Sequence, residues 1–473
     1  MTTTTDPSTI AAPANADGGS ISIFDPSDGS LVGTVAAAGP EEVANAVGRA
    51  RAAAPDWAAT SPQDRGTLLK QAARALAARA GELAEWNQRE TGKLLEEALG
   101  GVLAGVATLE QYAELGPVHR GRSLRGAPTA TDYTVAGPRG VVAAVTPWND
   151  PVAVACGLLG AAVVTGNTVV HKPSERCPHT GALLGSVLAS ALPENILVTV
   201  TGGASAGASL AAGDVDVVAH VGSSATGAAI HRACAQTGAH TVLENGGNDP
   251  LLVDGDVDPA WAAGQAALGA FANTGQICTS VERIYVHEAV ATDFIAALET
   301  EARQRNETGS LGPLVDERHR AAVHAHVADA VSAGARATVG GTVPDRPGTW
   351  YPATVLLDCT EDMDAMREET FGPVAPVRVV ESFEEGLRLA AAGRYGLAAT
   401  VLTGSLAHAQ QAVAALPVGT VKVNHVFGGA PGGSAQPRGA SGRGFGYGPE
   451  LLDEMTTVKV VHLEAPGGGT AAP

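Results

Sequence analysis

Apolar and polar positions near the start of the chain follow first the period of a strand and then that of a helix. Residues 21–35 alternate around turn-forming residues, which predicts a β-hairpin. Over residues 41–54 and 61–88 the apolar positions recur at helical spacing, and Ser61–Pro62 is typical of a helix start. An Ala- and Leu-rich stretch ending near Leu115 predicts a further long helix, and residues 120–135 alternate as an exposed strand pair would.

From Gly140 onwards, short apolar runs alternate with helical patterns. Strands are predicted over residues 141–145, 168–171, 196–200, 215–221 and 458–463, and helices over residues 180–191, 261–272, 290–303, 317–332 and 383–391. This alternation predicts βαβ units and parallel sheets. Residues 151–170 carry no charge and are long enough to cross a membrane. Because Gly166–Asn167–Thr168 interrupts them, two buried elements joined by a turn is the better interpretation.

Composition narrows the class of protein. The 473 residues predict two or three domains, and 45% hydrophobic residues are ample for a large core. The net charge of −19, with no basic cluster, argues against nucleic acid or a membrane surface as a partner. Five cysteines without a CxxC pair predict neither a disulfide framework nor a metal site. Because the first residues also lack the pattern of a secretory signal, we expect a cytoplasmic protein, with residues 1–18 as a flexible tail.

One cysteine, Cys278, lies in the stretch FANTGQICTS, residues 271–280, behind a run of small polar residues. Small residues allow a substrate and the backbone to approach the sulfur closely. A thiolate is a nucleophile near neutral pH when its pKa is lowered. We therefore interpret Cys278 as a nucleophile, the alternative being a cysteine that only packs. The other four cysteines are interpreted as structural.

Three further motifs support this interpretation: TPWN at residues 146–149, LENGG at 243–247 and ETFGP at 369–373. With the stretch around Cys278, in this order and spacing, the chain resembles the aldehyde dehydrogenase superfamily from about residue 21 to about residue 463. The resemblance implies an α/β fold with a Rossmann-like NAD-binding domain, an α/β catalytic domain and a small β oligomerisation extension that gives a homodimer or homotetramer. The expected boundaries are 19–118 and 137–243 for the NAD-binding domain, 244–440 for the catalytic domain, and 119–136 and 441–473 for the extension and C-terminal tail.

The resemblance implies NAD-dependent oxidation of a small-molecule aldehyde to a carboxylic acid. Addition of the Cys278 thiolate to the carbonyl would give a thiohemiacetal alkoxide, which expels hydride and leaves a thioester. Asn149 and the backbone N–H of Cys278 would donate hydrogen bonds to the alkoxide. Glu244 would activate the water that hydrolyses the thioester. The plainer alternatives are a loop asparagine that satisfies its own backbone and a glutamate that forms a salt bridge.

No GxGxxG motif follows the first strand of the α/β region, so the cofactor must be held in another way. At Gly222–Ser223 a predicted strand gives way to a helix, and such a junction directs N–H groups at a phosphate; a serine that only caps the helix is the alternative. The resemblance assigns further residues to the cofactor: Trp148, Lys172, Ser174, Glu175, Glu369 and Phe371. Because a carboxylate at Glu175 would repel the 2′-phosphate of NADP, we predict a preference for NAD, with NADP the alternative.

The substrate region is where this sequence departs most from the family pattern. Asn245 and Asn248 stand in LENGGN where LELGGK is usual, and Asp150 replaces a common aromatic residue and would disfavour anionic aldehydes. Residues 436–444, here called the late segment, are rich in glycine and are expected to affect the substrate entrance or oligomer contacts rather than the core chemistry. We expect a medium-sized aldehyde or a semialdehyde. The tunnel residues are predicted to include Gln111, Tyr112, Asp150, Ile277, Thr279, His425 and Phe427.

Three alternatives to this function stay open at this point. A CoA-acylating relative would use CoA in place of water, but such relatives generally lack a base at the position of Glu244. A non-catalytic protein could retain the fold. A thiol redox sensor could be built on Cys278, although no resolving cysteine lies near it in the sequence.

Overall fold

The N-terminal part of the chain forms a hairpin followed by four helices. The structure, a computed structural model, describes residues 19–429 and 432–466, so the predicted tail at residues 1–18 and the end of the chain at residues 467–473 lie outside it. The first elements are β1 (Ser20–Phe24), β2 (Leu31–Ala36), α1 (Pro40–Ala59), α2 (Pro62–Ala78), α3 (Ala80–Thr91) and α4 (Leu95–Leu115). The antiparallel pairing of β1 with β2 confirms the predicted hairpin.

The helical spacing predicted over residues 61–88 is confirmed, but it is divided between two helices, α2 and α3, which are separated at Arg79. Arg79 adopts φ −113° and ψ 14°, which separates α2 from α3. Leu76 and Leu83, on either side of the break, are buried in the same hydrophobic core. The apolar pattern therefore continues across the break, and the sequence conceals it.

A small strand pair and a βαβ region follow. After a 3-10 turn at Gly116–Val118, the elements are β3 (Ser123–Leu124), β4 (Thr131–Pro138), β5 (Val141–Val145), α5 (Pro151–Val164), β6 (Thr168–Lys172), α6 (Pro178–Ala189), β7 (Leu197–Thr199), α7 (Ala204–Ala211), β8 (Val217–Val221), α8 (Ser224–Thr237) and β9 (His240–Glu244). The uncharged stretch at residues 151–170 forms α5 and β6, as the interrupting turn predicts. Across the described residues, no helix has the length and hydrophobicity to cross a membrane.

The second half of the chain repeats the α/β alternation and returns to the first half at its end. Its elements are β10 (Asp249–Val253), α9 (Pro259–Phe271), β11 (Val281–His287), α10 (Glu288–Thr308), α11 (Glu317–Ser332), β12 (Arg336–Val339), β13 (Thr354–Leu357), α12 (Asp364–Arg367), β14 (Val374–Val380), α13 (Phe383–Ala390), β15 (Tyr395–Gly396), β16 (Ala398–Leu402), α14 (Leu406–Ala415), β17 (Thr420–Val423), β18 (Arg438–Gly439), β19 (Gly442–Arg443), α15 (Leu451–Glu454) and β20 (Thr456–Leu463).

The first large sheet has a reversal of strand order beside β5. Its six strands lie in the order β19-β9-β8-β5-β6-β7, and all neighbours are parallel except β19 and β9. The chain proceeds from β5 to β6 on one side and then places β8 on the other. In open parallel sheets, ligands bind in the crevice at the carboxyl ends of the strands where the order reverses. The loops after β5 and β8, which carry Trp148–Asn149 and Gly222–Ser223, flank this crevice.

The second large sheet meets the first through a short glycine connector. Its seven strands lie in the order β12-β13-β14-β11-β10-β16-β17. Gly246–Gly247 links the carboxyl end of β9 to the amino end of β10, while Cys278 and Phe371 precede the amino ends of β11 and β14. The motifs that contain Glu244, Cys278 and Phe371 therefore converge between the two sheets. A third sheet, β20-β4-β3, leaves Val458 and Val460 at 69% and 66% exposed.

Candidate active site

A cavity of about 320 Å³ lies between the two large sheets and contains the predicted catalytic side chains. Asn149, Glu244 and Cys278 all contribute to its wall. The remaining lining residues come from both halves of the chain and include Pro147, Trp148, Val154, Arg176, Val221, Gly222, Ser223, Asn245, Gly246, His319, Ala322, His326, Glu369, Thr370 and Phe371. Three motifs that lie far apart in the sequence thus meet around one space.

Cys278 follows a turn whose backbone is held in the left-handed region. Asn273, Thr274 and Gly275 have φ values of 46°, 57° and 73°. A side chain at Gly275 would overlap the carbonyl of Gly372, so only glycine fits there. Thr274 Oγ1 donates to the carbonyl of Gly312 at 2.9 Å, and the Asn273 amide donates to the carbonyl of Gln276 at 3.1 Å. The small polar run is therefore a strained turn fixed by one hydrogen bond of its own and one to a distant segment.

The sulfur of Cys278 is the most accessible of the five cysteines but is not poised as a thiolate. The other four cysteines are buried. Burial, and then the negative charges of Glu244, Asp249 and Glu369, raise the pKa of Cys278 to about 12. The expected lowering of the pKa is absent because burial disfavours the thiolate, and the nearby carboxylates add to this effect while Lys422 opposes it. In this state the group is a neutral thiol at neutral pH.

Asn149 is fixed at both its side chain and its backbone. Its Nδ2 donates to the carbonyl of Gln276 at 3.1 Å, and its own carbonyl accepts from Lys93 Nζ at 3.2 Å. Lys93 is only 8% exposed and lies 3.3 Å from Asp150 Oδ1. The carboxylate of Asp150 is therefore paired with a cation, which weakens the expectation that it repels anionic aldehydes.

Glu244 ends β9, and its carboxylate turns towards the late part of the chain. Its Oε1 accepts a hydrogen bond from the backbone N–H of Gly446 at 3.2 Å. Burial raises its pKa to about 7, and the Gly446 hydrogen bond opposes that rise. Such a carboxyl can gain or lose a proton near neutral pH. The late segment, which was expected to affect the substrate entrance or oligomer contacts, pairs with β9 at Glu244 through Gly442.

The turn at Gly222–Ser223 is a helix start that also faces the cavity. Ser223 Oγ accepts from the backbone N–H of Thr226 at 3.3 Å, so the serine does cap α8. Capping uses one of the N–H groups at the helix start, and the others remain available to an anion in the cavity. Gly222 and Ser223 both line that cavity.

Lys172, Ser174 and Glu175 form a compact polar group at the end of β6. Lys172 is 4% exposed and its Nζ lies 3.6 Å from Glu175 Oε2. Burial lowers the pKa of Lys172, and the nearby Glu175 carboxylate opposes this. Burial would raise the pKa of Glu175, but Lys172 and neighbouring arginines outweigh it and hold that pKa below its usual value. Glu175 is therefore an anion at neutral pH.

The ETFGP stretch is held against the cavity by residues that the sequence analysis did not identify. Phe371 has a φ of 54°, and its N–H donates to Glu282 Oε1 at 3.0 Å. The neighbouring Thr370 N–H donates to the other oxygen of Glu282, and His319 Nε2 lies 2.7 Å from the Phe371 carbonyl. The ring of Phe371 meets Trp148 edge-on at 5.6 Å. Glu369 accepts from the Gly247 N–H at 3.1 Å.

The site is thus supported by four residues that lie outside its recognisable motifs: Lys93, Glu282, His319 and Gly446. Glu282 is four residues after Cys278 in the sequence, and its carboxylate, beside Arg283 in the short strand VERIYV, was a usable signal because charged residues are rarely buried without partners. For the other three, spacing carries no comparable signal, because their contacts depend on how distant segments meet.

The seven predicted tunnel residues do not line this cavity. Ile277 and Thr279 flank Cys278 and are half-buried, while His425 is exposed. Tyr112 is 1% exposed, and its hydroxyl donates to the carbonyl of Gly448 at 3.1 Å. The half-buried Gln111 is its neighbour on α4, and Phe427 packs on the core of the second sheet. Their role in a tunnel stays a prediction.

The cavity suits a dinucleotide and shows no feature of a metal site. The helix start at Gly222–Ser223, the carboxyl of Glu369 and the aromatic pair Trp148–Phe371 line it, whereas Lys172, Ser174 and Glu175 lie outside its lining. Over residues 19–429 and 432–466, no three His, Cys, Asp or Glu side chains group so as to hold a metal ion.

Comparison with known proteins agrees with this geometry. The sequence model of the aldehyde dehydrogenase family matches residues 14–461. Benzaldehyde dehydrogenase [NAD(+)] from Pseudomonas putida is 34% identical over 461 residues, which cover 93% of this chain and 92% of that protein.

Solved structures give the same assignment. An NAD-dependent aldehyde dehydrogenase from Sinorhizobium meliloti superposes with a TM-score of 0.91 at 30% identity, covering 96% of this chain and 94% of that one. Betaine aldehyde dehydrogenase from Staphylococcus aureus, solved in complex with NAD+, has a TM-score of 0.90 at 28% identity, with 94% and 92% covered. The predicted α/β fold is confirmed, and the chain belongs to the aldehyde dehydrogenase family, whose members are NAD(P)-dependent oxidoreductases.

Proposed function

We propose that this enzyme oxidises an aldehyde to a carboxylic acid with Cys278 as nucleophile, Asn149 as oxyanion donor and Glu244 as base. The observation that carries the proposal is the meeting of these three side chains around one cavity, beside residues suited to a dinucleotide. Each has the chemistry its role requires: a sulfur, an amide donor and a carboxyl with a pKa of about 7.

The first half of the reaction forms a bond at sulfur. Because Cys278 is a thiol at rest and its sulfur is partly accessible, its proton passes to solvent as sulfur adds to the carbonyl carbon, and Glu244 is not required for this step. The carbonyl π bond becomes an alkoxide, which the second hydrogen of the Asn149 amide stabilises while the first is held by Gln276. When bound, NAD(P)+ would accept the hydride that leaves carbon.

The second half of the reaction breaks the carbon–sulfur bond. Loss of hydride leaves a thioester on Cys278. The Glu244 carboxylate removes a proton from water, the hydroxide adds to the thioester carbon, and the sulfur leaves as the carboxylic acid forms. CoA would replace water in an acylating relative, and the presence of Glu244 favours water.

Three substitutions test the assignment of roles. C278A should abolish NADH formation, N149A should lower kcat about 10²–10³-fold, and E244Q should form NADH once per active site and then turn over slowly. Adding CoA should leave the rate unchanged and yield no acyl-CoA. Undiminished turnover by C278A, or acyl-CoA formation, would contradict the proposal.

For the cofactor we propose a preference for NAD over NADP. Glu175 is anionic beside Lys172, at the position that the family uses for the adenosine ribose, so it would repel a 2′-phosphate. E175Q should improve kcat/KM for NADP more than for NAD. Equal kcat/KM values for both cofactors in the unmodified enzyme would contradict the preference.

The substrate proposed is a medium-sized aldehyde or a semialdehyde. The pairing of Asp150 with Lys93 leaves little net charge at that position, so recognition would rest on shape and hydrogen bonds. A panel containing benzaldehyde, betaine aldehyde and a semialdehyde, followed by NADH absorbance, ranks these classes. A strong preference for a small aldehyde such as acetaldehyde would contradict it.

We also propose a homodimer or homotetramer that works in the cytoplasm. The apolar side chains of β20 are exposed in a single chain, and an exposed strand with such side chains is a natural site for pairing with another copy. The cytoplasmic assignment rests on five unpaired cysteines, which suit a reducing compartment. Cell fractionation that placed the protein outside the cytoplasm would contradict this assignment.

A further inference from the structure

The late segment is attached to the strand that carries Glu244 at several points. The backbone N–H of Asn245 donates to the carbonyl of Ser441 at 2.9 Å, and its side-chain Nδ2 donates to the carbonyl of Ala440 at 3.0 Å. The next residues form β19, which pairs with β9 so that Gly442 lies opposite Glu244. Asn245 is 6% exposed. A leucine, usual in the family at this position, has no side-chain donor for this contact.

The turn beyond the late segment is anchored from its other side. The N–H of Phe445 donates to Glu454 Oε1 at 3.0 Å, and Glu454 Oε2 lies 2.6 Å from His240 Nε2. His240 is the first residue of β9, and Glu244 is the last. Both ends of the same strand therefore fix the backbone that leads into Gly446.

Gly446 itself leaves no room for a side chain. A Cβ built there would overlap Cγ of Glu244 and lie 2.6 Å from its carboxyl carbon. Its N–H donates to Glu244 Oε1 at 3.2 Å. The carboxylate thus lies directly on the glycine backbone, and the absence of a side chain is what permits the hydrogen bond.

We propose that Asn245 and Gly446 are positioning residues for Glu244, so that the late segment and the turn after it act in catalysis through that carboxylate. Asn245 fixes the late segment, and Gly446 presents an N–H that orients the carboxylate and favours its charged form. This inference rests on the proposed function, in which Glu244 is the base. It assigns a catalytic consequence to Asn245, one of the departures from the family pattern.

A double-mutant cycle tests the inference. N245L and G446A are each made in the unmodified enzyme and in E244Q, and kcat, its pH profile and the NADH burst are measured. Each substitution should lower kcat about 10-fold, the scale of one hydrogen bond to a charged group. The acidic limb of the kcat profile should move up by about one pH unit. The burst, which precedes hydrolysis, should keep an amplitude of one NADH per active site and so shows that the variants are folded.

The E244Q background separates positioning from general stability. There, N245L and G446A should cause no further loss of kcat, because the carboxylate on which they act is gone. G264A, where an added Cβ meets no atom within 4 Å, is the matched glycine control and should leave kcat unchanged. Equal losses in both backgrounds, or an unmoved pH profile, would overturn the positioning role alone. Undiminished turnover by E244Q would instead overturn the base role beneath it.

Discussion

At the scale of single residues, burial determines the protonation of both reacting groups. It raises the pKa of Cys278 to about 12 and that of Glu244 to about 7. The pair at rest is therefore a thiol beside a carboxyl that titrates near neutral pH. This arrangement protects the sulfur from oxidation, which requires a thiolate, and leaves Glu244 able to take a proton from water in the second half of the reaction.

The pH dependence of kcat follows from the pKa of Glu244. Hydrolysis of the thioester needs its charged form, so kcat should fall as the pH drops below about 7 and level off above it. Steady-state rates between pH 5 and 9 at saturating aldehyde and cofactor check this. In E244Q the limb near pH 7 should disappear. A wild-type kcat that stays constant from pH 5 to pH 8 would contradict the base assignment.

Lys93 is expected to matter for stability and for catalysis. K93M would leave Asp150 without its cation and the Asn149 carbonyl without a donor. Because the side chain of Asp150 is 35% exposed, we expect a loss of about 1–3 kcal/mol in the free energy of unfolding, at the low end for a broken pair. Urea denaturation measures the free energy of unfolding, and kcat of K93M should also fall.

A matched pair of variants separates this effect from a general loss of charge. K70M removes a lysine from the exposed pair with Glu114, so its unfolding free energy should change by less than about 1 kcal/mol. Combining K93M with D150N should recover part of the stability. Equal effects of K93M and K70M would show that the buried pair is unimportant.

Prediction from sequence succeeded at this scale where chemistry demands particular residue types. The motifs around Asn149, Glu244 and Cys278 pointed to one site, and the structure brings those residues together. Lys93 and Gly446 could not be found in this way. Their contacts are to groups 56 and 202 residues away, and no local pattern specifies such a meeting.

At the scale of elements, two irregular stretches shape the cavity. The left-handed turn at Asn273–Gly275 presents Cys278, and Phe371 is held at a φ of 54° beside it. Regular strands and helices were predictable from periodicity, but such conformations are imposed by tertiary hydrogen bonds. The break at Arg79 was missed for a related reason, because the hydrophobic pattern continues through it.

Glu282 holds the backbone of the ETFGP stretch, which is predicted to bind the cofactor. Its two carboxylate oxygens accept the N–H groups of Thr370 and Phe371. E282Q keeps one acceptor oxygen but places an NH₂ group against the other backbone N–H. The buried N–H left without an acceptor should lower the free energy of unfolding by about 1–3 kcal/mol. We expect KM for NAD to rise about 10-fold and kcat to change less. E288Q, at the exposed first position of α10 directly after the same strand, is the control. An unchanged KM in E282Q would contradict this role.

At the scale of the whole molecule, the two sheets and their connector account for where the site lies. The strand order reverses at β5 and the chain crosses to the second sheet at Gly246–Gly247, so the loops with chemical motifs face one another. The alternation of strands and helices predicted the sheets, whereas the return of the late segment to β9 was not visible in it. That return depends on pairing between residues about 200 positions apart, and the sequence pattern does not indicate which residues of two such distant strands lie opposite each other.

The exposed strand β20 of the third sheet is where we expect substitutions to disrupt the proposed assembly. V458K with V460K places two cations on the exposed strand β20, which should prevent pairing between copies while the buried core stays intact. Sedimentation should show an oligomer for the unmodified protein and a monomer for the variant. T457K, at another exposed position of the strand, serves as control. A monomeric unmodified protein would contradict the proposed assembly.

The central claim is a covalent bond between Cys278 and the carbonyl carbon of the substrate. E244Q is mixed with the preferred aldehyde and NAD, quenched in acid and analysed by mass spectrometry of the intact chain and its peptides. The account predicts one adduct per chain, with the mass of the aldehyde less two hydrogens, on the peptide that contains Cys278, and one NADH released with it. NADH formation with no adduct, or an adduct on any other residue, would contradict it.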